Sequence, residues 1–418
     1  MRPFFNRSLF SNHYLETLLP ATDQWKAFEE EGKLQSLTVL FKDSKHFTSY
    51  NEAQLEEHLI KPVLRILGFE FEVQADVGTG SDFPDYALFG NLDRAKIWKN
   101  KESLYKEALT ICEAKKWDRE LDRPGKDKMS KSWNPSFQIW VYLNRTEKEW
   151  GILTNGRKWR LYHKDPRIDR YFEIDLSQIV EKKDMKALRY FWLFFSRSAF
   201  ESIGPNACFL ERVIHGSGDY ARRVGEDLKE NVYNALRIIS QGFFDYESNQ
   251  LNPQSDEDLR IVQHNTMRLL YRILFILYAE GKGLLSDEEY SSSPYSLYGL
   301  KNEIAGKLDQ GQAIIETGTS YWSRLRQLFD LINLGSEKLG VDRKQFYVPA
   351  YNGGLFDPSR NPFLSRNQIG DKTLAKSIDL LVRSKGEDGK PQFVDYSTLD
   401  IRHLGSIYEG LLEYQVHY

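Results

Sequence analysis

Residues 108–115 read Ala108-Leu109-Thr110-Ile111-Cys112-Glu113-Ala114-Lys115, a compact apolar run that ends in charge. A run of this length predicts a buried β-strand. Residues two apart on a strand share a face, so Glu113 and Lys115 project together. Upstream, Pro84-Asp85 opens another predicted strand, Pro84–Phe89, after the turn Gly78-Thr79-Gly80-Ser81. If the two strands pair, Asp85 joins Glu113 and Lys115. Carboxylates brought close repel, and each has a raised pKa unless a cation lies between them. A hard ion such as Mg2+, or Mn2+ in its place, answers that need. Its ligands would be Asp85, Glu113, the Ala114 backbone carbonyl and waters. Such an ion lowers the pKa of bound water and offsets charge building on phosphorus. Lys115 would orient the attacking water or stabilise that charge. A Glu-x-Lys triplet alone equally describes a salt-bridged surface strand in a chain with 28% charged residues, so its neighbours decide.

Working outward, Leu55, Leu59, Val63 and Ile66-Leu67 recur at helical spacing across Asn51–Leu67, with Gly68 placed to end the helix and Pro62 interrupting it. Phe69–Val77 alternates as a strand does, and charged residues 91–101 read as a loop. Phe137–Leu143 predicts a helix with Gln138 and Tyr142 one turn apart on one face. Trp150–Tyr162 predicts a hairpin about Asn155-Gly156, the favoured pair for a type I′ turn. Tyr171–Leu176 adds a last strand. Residues 1–48 are weakly periodic, with room for a helix and a strand in Trp25–Leu40.

In this order (helix, strand, Asp strand, Glu-x-Lys strand, Gln-x-x-x-Tyr helix, hairpin) the chain resembles the PD-(D/E)XK nucleases of type I, type III and type IIG restriction enzymes. Asn51-Glu52-Ala53 leading into Leu59–Leu64 and Leu67-Gly68-Phe69 is similar to that family's opening helix. The resemblance implies an α/β nuclease domain with a mixed central sheet over residues 1–195. It implies Asp85 and Glu113 as metal ligands and Lys115 as the catalytic lysine. Gln138 and Tyr142 would contact the substrate backbone or brace the site, and a helix glutamate would assist. Glu52 matches that position best, with Glu56 and Glu57 as rivals.

Lys116, Arg119, Arg123, Lys126, Lys128 and Lys131 follow the catalytic strand, with Trp117 and Trp133 interleaved. A loop there is placed to meet DNA phosphates, each contact making binding more salt-sensitive. Asp118, Glu120, Asp122 and Asp127 dilute its charge, which also suits a solvated loop.

The 418 residues exceed one usual core, so two or three domains are expected. A net charge of −3 excludes a global basic field, so nucleic-acid contact needs local patches. Cys112 and Cys208 fit no zinc or redox spacing, and no signal peptide or membrane span is read; the longest apolar run, Leu269–Ala279, is interrupted by Arg272. The expected location is the cytoplasm, without a membrane partner.

Residues 196–418 turn helical, around Val224–Ile239, Val262–Tyr278 and Trp322–Ile332. Val348–Asp357, with a turn at Gly353-Gly354, and the amphipathic segment Leu404–Gln415 resemble the helical connector that joins a type IIG nuclease to its adenine-specific DNA methyltransferase. No Asn-Pro-Pro-aromatic motif, glycine-rich dinucleotide fingerprint or phosphate-binding P-loop occurs, so no S-adenosylmethionine or ATP site is expected. The methyltransferase and specificity region is expected in cis beyond residue 418 or in trans. The expected substrate is double-stranded DNA. Two other readings remain: a catalytically silent DNA-binding and docking module of a phage-exclusion methyltransferase system, and an independent defence nuclease with a separate partner protein.

Overall fold

The computed structural model describes residues 2–73, 83–91, 101–123, 134–164, 167, 169–202, 207–285, 290, 296–342, 346–351, 353–386, 389–399 and 401–412. Two compact units are present, Met1–Asp219 and Tyr220–Tyr418.

The first unit is built on a seven-stranded mixed sheet. Its strands are β1 (Phe5–Arg7), β2 (Glu70–Val73), β3 (Tyr86–Phe89), β4 (Thr110–Ala114), β5 (Trp150–Thr154), β6 (Lys158–His163) and β7 (Tyr171–Asp175), in the spatial order β1-β7-β6-β5-β4-β3-β2. β4 and β5 run parallel, Ile111 facing Gly151, and the other neighbours are antiparallel. A parallel pair needs a crossover. Here it contains helix Pro135–Thr146, started by the Asn134 side chain, which accepts from the Ser136 N–H. Every residue of β4 and β5 is buried, as the apolar run at 108–114 predicts for a central strand covered on both faces.

The two faces follow the period of two. Cys112, Ala114, Ile152, Trp159, Leu161, Phe172 and Ile174 join one core with Leu55, Leu59, Val63 and the aromatic helix Met185–Phe195. Ile111, Leu153, Tyr162 and Tyr171 face the other way, onto Ile139, Tyr142 and Leu143. We label the helices α1 (Glu52–Leu55, Glu56–Ile60 and Lys61–Ile66 in succession), α2 (Lys101–Glu107), α3 (Pro135–Thr146) and α4 (Met185–Phe195).

A reciprocal cap starts α1: Asn51 Oδ1 accepts the Gln54 N–H at 2.9 Å, and Gln54 Oε1 accepts the Asn51 N–H at 3.0 Å. Pro62 does not break the helix. It sits in the first turn of Lys61–Ile66, directly after a π-type turn at Glu56–Ile60, where the backbone ladder widens around a residue that has no N–H to give. Gly68, at φ 89°, ends the run.

The β5–β6 hairpin departs from expectation. Its loop has three residues, and Gly156 takes φ 78° while Asn155 does not enter the left-handed region. A type I′ turn requires positive φ at both central residues. The Asn155 side chain instead accepts the Lys158 N–H at 2.7 Å and donates to the Arg119 carbonyl at 3.1 Å, tying the hairpin to the segment after β4. A Cβ on Gly156 would lie 2.9 Å from Leu59 Cδ2. Gly156→Ala is therefore expected to destabilise the unit by about 1–2 kcal/mol from the left-handed conformation alone, measured by chemical denaturation; an unchanged midpoint would contradict it.

Residues 1–48 contain β1 and the short helices Asp23–Lys26 and Lys33–Leu40, so the strand lies ahead of the stretch where one was expected. Helix α4 ends at Phe195, where the sequence periodicity changes. The division between the units falls inside α5 (Phe209–Asp245). The second unit is mostly helical, with α6 (Asp256–Gly281), α7 (Leu297–Asp309), α8 (Ser320–Leu334), α9 (Asp371–Val382), α10 (Ile401–Leu412) and a hairpin of β8 (Arg383–Lys385) and β9 (Pro391–Phe393). Among the described residues no helix is long and apolar enough to cross a membrane.

Candidate active site

The β3–β4 register pairs Tyr86 with Cys112 and Ala87 with Ile111, which brings Asp85 and Glu113 together at the next step. The two side chains brace each other's strands. Ala114 N–H donates to Asp85 Oδ2 at 2.8 Å, and Asp85 N–H donates to Glu113 Oε2 at 3.2 Å. Lys115 Nζ donates to the remaining Glu113 oxygen, Oε1, at 2.5 Å. Glu113 is only 2% exposed and Lys115 15%. The trio expected from spacing is thus one hydrogen-bonded group.

Helix α1 adds two carboxylates. Glu52 is half-buried, accepts the Lys116 N–H and lies within the fields of Lys115 and Asp85. Glu56, one turn on, accepts the Tyr86 hydroxyl and feels both Asp85 and Glu52. Glu57 is exposed and bonds Lys61 at 2.7 Å. The geometry thus separates the rivals: Glu52 and Glu56 face the trio, and Glu57 faces solvent.

Gln138 and Tyr142 also reach the site. Gln138 Nε2 donates to the Tyr142 hydroxyl at 2.8 Å. Burial, then the Glu113 carboxylate, pushes that hydroxyl up to about 12, so it stays protonated. Tyr105 on α2 behaves alike: burial, then Tyr142, Asp85 and Glu113, push it to about 12, while its ring stacks on Phe83 at 5.7 Å.

The charge balance is uneven. Burial and then Asp85 push Glu113 up to about 8, against the pull of Lys115. Burial raises Glu52 and Glu56 too. Burial works to lower Lys115, but Glu113 and Asp85 outweigh it and hold the ammonium charged. Among the described residues no set of three His, Cys, Asp or Glu gathers as a complete metal cage. A Mg2+ site does not require one, because this ion keeps several waters and commonly takes one or two carboxylates. Burial and then the acidic neighbour push Glu113 toward neutrality, and a divalent cation between the two carboxylates would relieve that, so the donor chemistry of Asp85 and Glu113 fits the implied ion.

The raised pKa of Glu113 has a definite sign. Its stabilising contribution is complete below its ordinary value of 4.5 and is lost as pH rises through about 8. In EDTA, the melting temperature is therefore expected to fall between pH 5 and pH 8, and Glu113→Gln to flatten that fall. An equal fall in both proteins would show that Glu113 is not responsible.

No protein-family model, curated protein or solved structure matches this chain.

Of the basic residues expected to meet phosphates, Lys116 and Arg123 are exposed and Arg119 is half-buried. Arg123 pairs with Glu120 at 3.0 Å. Lys126, Lys128 and Lys131, with Trp133, lie outside the described residues. Trp117, between Lys116 and Arg119, is half-buried. Its ring packs beside Phe41 and Phe47 at 6.3 and 5.0 Å, against the main core. Sequence reasoning missed Tyr86 and Tyr105. Tyr86 follows the Pro-Asp pair directly, which was the available signal; Tyr105 lies in a charged stretch with none.

Proposed function

We propose that this chain is the endonuclease and connector portion of a type IIG-like restriction–modification enzyme, a PD-(D/E)XK nuclease that hydrolyses double-stranded DNA with Mg2+ in the cytoplasm. The observation that carries the proposal is the crossed brace of Asp85 and Glu113, with Lys115 on Glu113 and Glu52 beside them. A bound divalent cation would supply Lewis acidity at a phosphoryl oxygen and at water. Asp85 and Glu113 would hold it, their backbone bonds fixing both carboxylates before substrate arrives. Lys115, kept charged by its neighbours, would orient the attacking water and offset negative charge developing on the phosphate. Glu52, anchored by the Lys116 N–H, would accept a proton or orient water from the helix side. The Gln138–Tyr142 pair would brace the wall formed by α3.

A docking module would gain nothing from setting the half-buried Asp85 against the buried Glu113 carboxylate that it repels, an arrangement that costs stability unless a ligand offsets it. Plasmid incubated with Mg2+, with and without the adjacent methyltransferase polypeptide, tests the proposal. Cleavage under at least one condition is expected; none under any combination would give the docking reading the better claim.

The helix glutamates provide a finer test. Glu52→Ala is expected to lower cleavage by about tenfold or more, as loss of a general acid or base does, while Glu57→Ala leaves it within twofold. The reverse order in initial rates would reassign the helix.

A further inference from the structure

Helix α6 carries Arg260, His264, Arg268 and Arg272 at every fourth position. Residues four apart are neighbours on a helix surface, so these form a slowly rotating row. Arg260 and His264 are exposed, Arg268 is half-buried and Arg272 is buried. On α8, Arg326 is exposed and belongs to the same cluster through Asp330, which feels both Arg326 and Arg272.

Some cations elsewhere in this unit are paired. Arg324 bonds Glu303 at 2.5 Å, and Arg383 bonds Asp309 at 2.6 Å and Asp379 at 2.5 Å. Among the described residues, Arg260, His264, Arg268, Arg272 and Arg326 make no ion pair. Arg272 is the extreme case. At 4% exposure its Nε donates to the Leu355 carbonyl at 2.8 Å, its guanidinium lies 5.0 and 5.7 Å from the Phe329 and Phe356 ring centres, and its buried Nη2 has no partner. Burial, then Arg268, depress the charged form of Arg272, and burial with Arg268 does the same to His264. A solvated surface helix has no reason to crowd like charges against a buried arginine that makes no ion pair and has only the field of Asp330 to offset Arg268. The cost falls when an anion covers the row.

We infer that this face of the helical unit is a second nucleic-acid contact, where Arg260, His264, Arg268 and Arg326 take phosphates of a polynucleotide strand and Arg272 supports their field from below. The row from Arg260 to Arg268 is ~12 Å long at 1.5 Å per residue. That spans about three phosphates of one strand at ~3.4 Å each. The inference rests on the reading that the protein engages DNA, but it does not depend on the active site.

The test is binding of the full chain to a fluorescent duplex, by anisotropy in EDTA at several salt concentrations, with Lys115→Ala as the parent so that cleavage plays no part. Adding R260A, R268A and R326A together is expected to weaken low-salt binding at least tenfold and to shrink the slope of log affinity against log salt by about two to three. Arg237→Ala, an exposed arginine on α5, is expected to leave both unchanged. Equal affinity and slope for the triple variant and the parent would overturn the inference, as would an equal loss from Arg237→Ala. Inorganic phosphate is expected to compete no better than chloride at matched ionic strength; specific competition would mean a free-phosphate pocket instead and would also overturn it. If intact protein binds in this way but never cuts plasmid, the nuclease proposal fails and this one stands.

Discussion

Lys115→Ala is expected to reduce plasmid cleavage by ~10^2–10^3-fold, the usual cost of removing one preorganised group that stabilises transition-state charge. The same result is expected for Asp85→Ala, for a different reason. Asp85 Oδ2 holds the Ala114 N–H and Glu113 Oε2 holds the Asp85 N–H, so Asp85→Ala removes a carboxylate proposed to hold the metal ion and loosens the junction of β3 with β4 at once. Lys115→Ala removes only the ammonium from Glu113. Circular dichroism and melting should therefore separate them: Lys115→Ala is expected to retain the fold, whereas Asp85→Ala also lowers the melting temperature. Cleavage by Lys115→Ala within tenfold of the parent would sink the catalytic assignment.

Arg160→Ala is expected to be the most destabilising single change in the first unit, by about 3 kcal/mol, the lower end for breaking a buried ion pair because one of its partners is partly exposed. Arg160 on β6 is 4% exposed and bonds Glu173 on β7, itself buried, and Asp122 at 2.6 and 3.0 Å. Its guanidinium carbon lies 4.0 Å from the Tyr171 ring centre. Removing it leaves Glu173 buried with Lys158 at 2.9 Å as its remaining ion-pair partner. Arg160→Lys should not restore stability, because one ammonium cannot reproduce a fork shared by two carboxylates. Urea denaturation reads the effect; a loss under 1 kcal/mol would show that the network is redundant. Asp122 lies within the basic segment after β4, and Ser136 at the head of α3 bonds the Leu121 carbonyl at 2.8 Å. Arg160→Ala is therefore expected to reduce cleavage as well.

The sheet was largely legible because buried central strands and a helix-to-strand change of period leave strong local signals. Tyr86–Phe89, Thr110–Ala114, Trp150–Thr154 and Tyr171–Asp175 fall inside stretches that the pattern marks as strands, and Lys158–His163 runs one residue past the end of the expected hairpin. β1 was not legible: three residues, Phe5–Arg7, hold no period, and their pairing with Tyr171–Glu173 is set by distant chain. In the second unit α7 and α9 were missed. α7 contains Gly299 and Gly306, which dilute its apolar stripe, and neither helix was needed to place a motif. The trio of Asp85, Glu113 and Lys115 was readable from spacing. Choosing among Glu52, Glu56 and Glu57 was not, since that depends on how α1 rotates against the sheet. Arg160 gave no signal either, because its partners lie 13 and 38 residues away.

The pairing of Phe5 with Glu173 has a consequence for synthesis on the ribosome. The first strand of the chain has no neighbour until the last strand of the sheet has left the exit tunnel, and the parallel β4–β5 junction likewise waits for its crossover. Long-range closures of this kind are slow. The carboxylate pair and its lysine therefore become aligned only late in folding, and a nascent or truncated chain carries every residue of the candidate site before it carries a site.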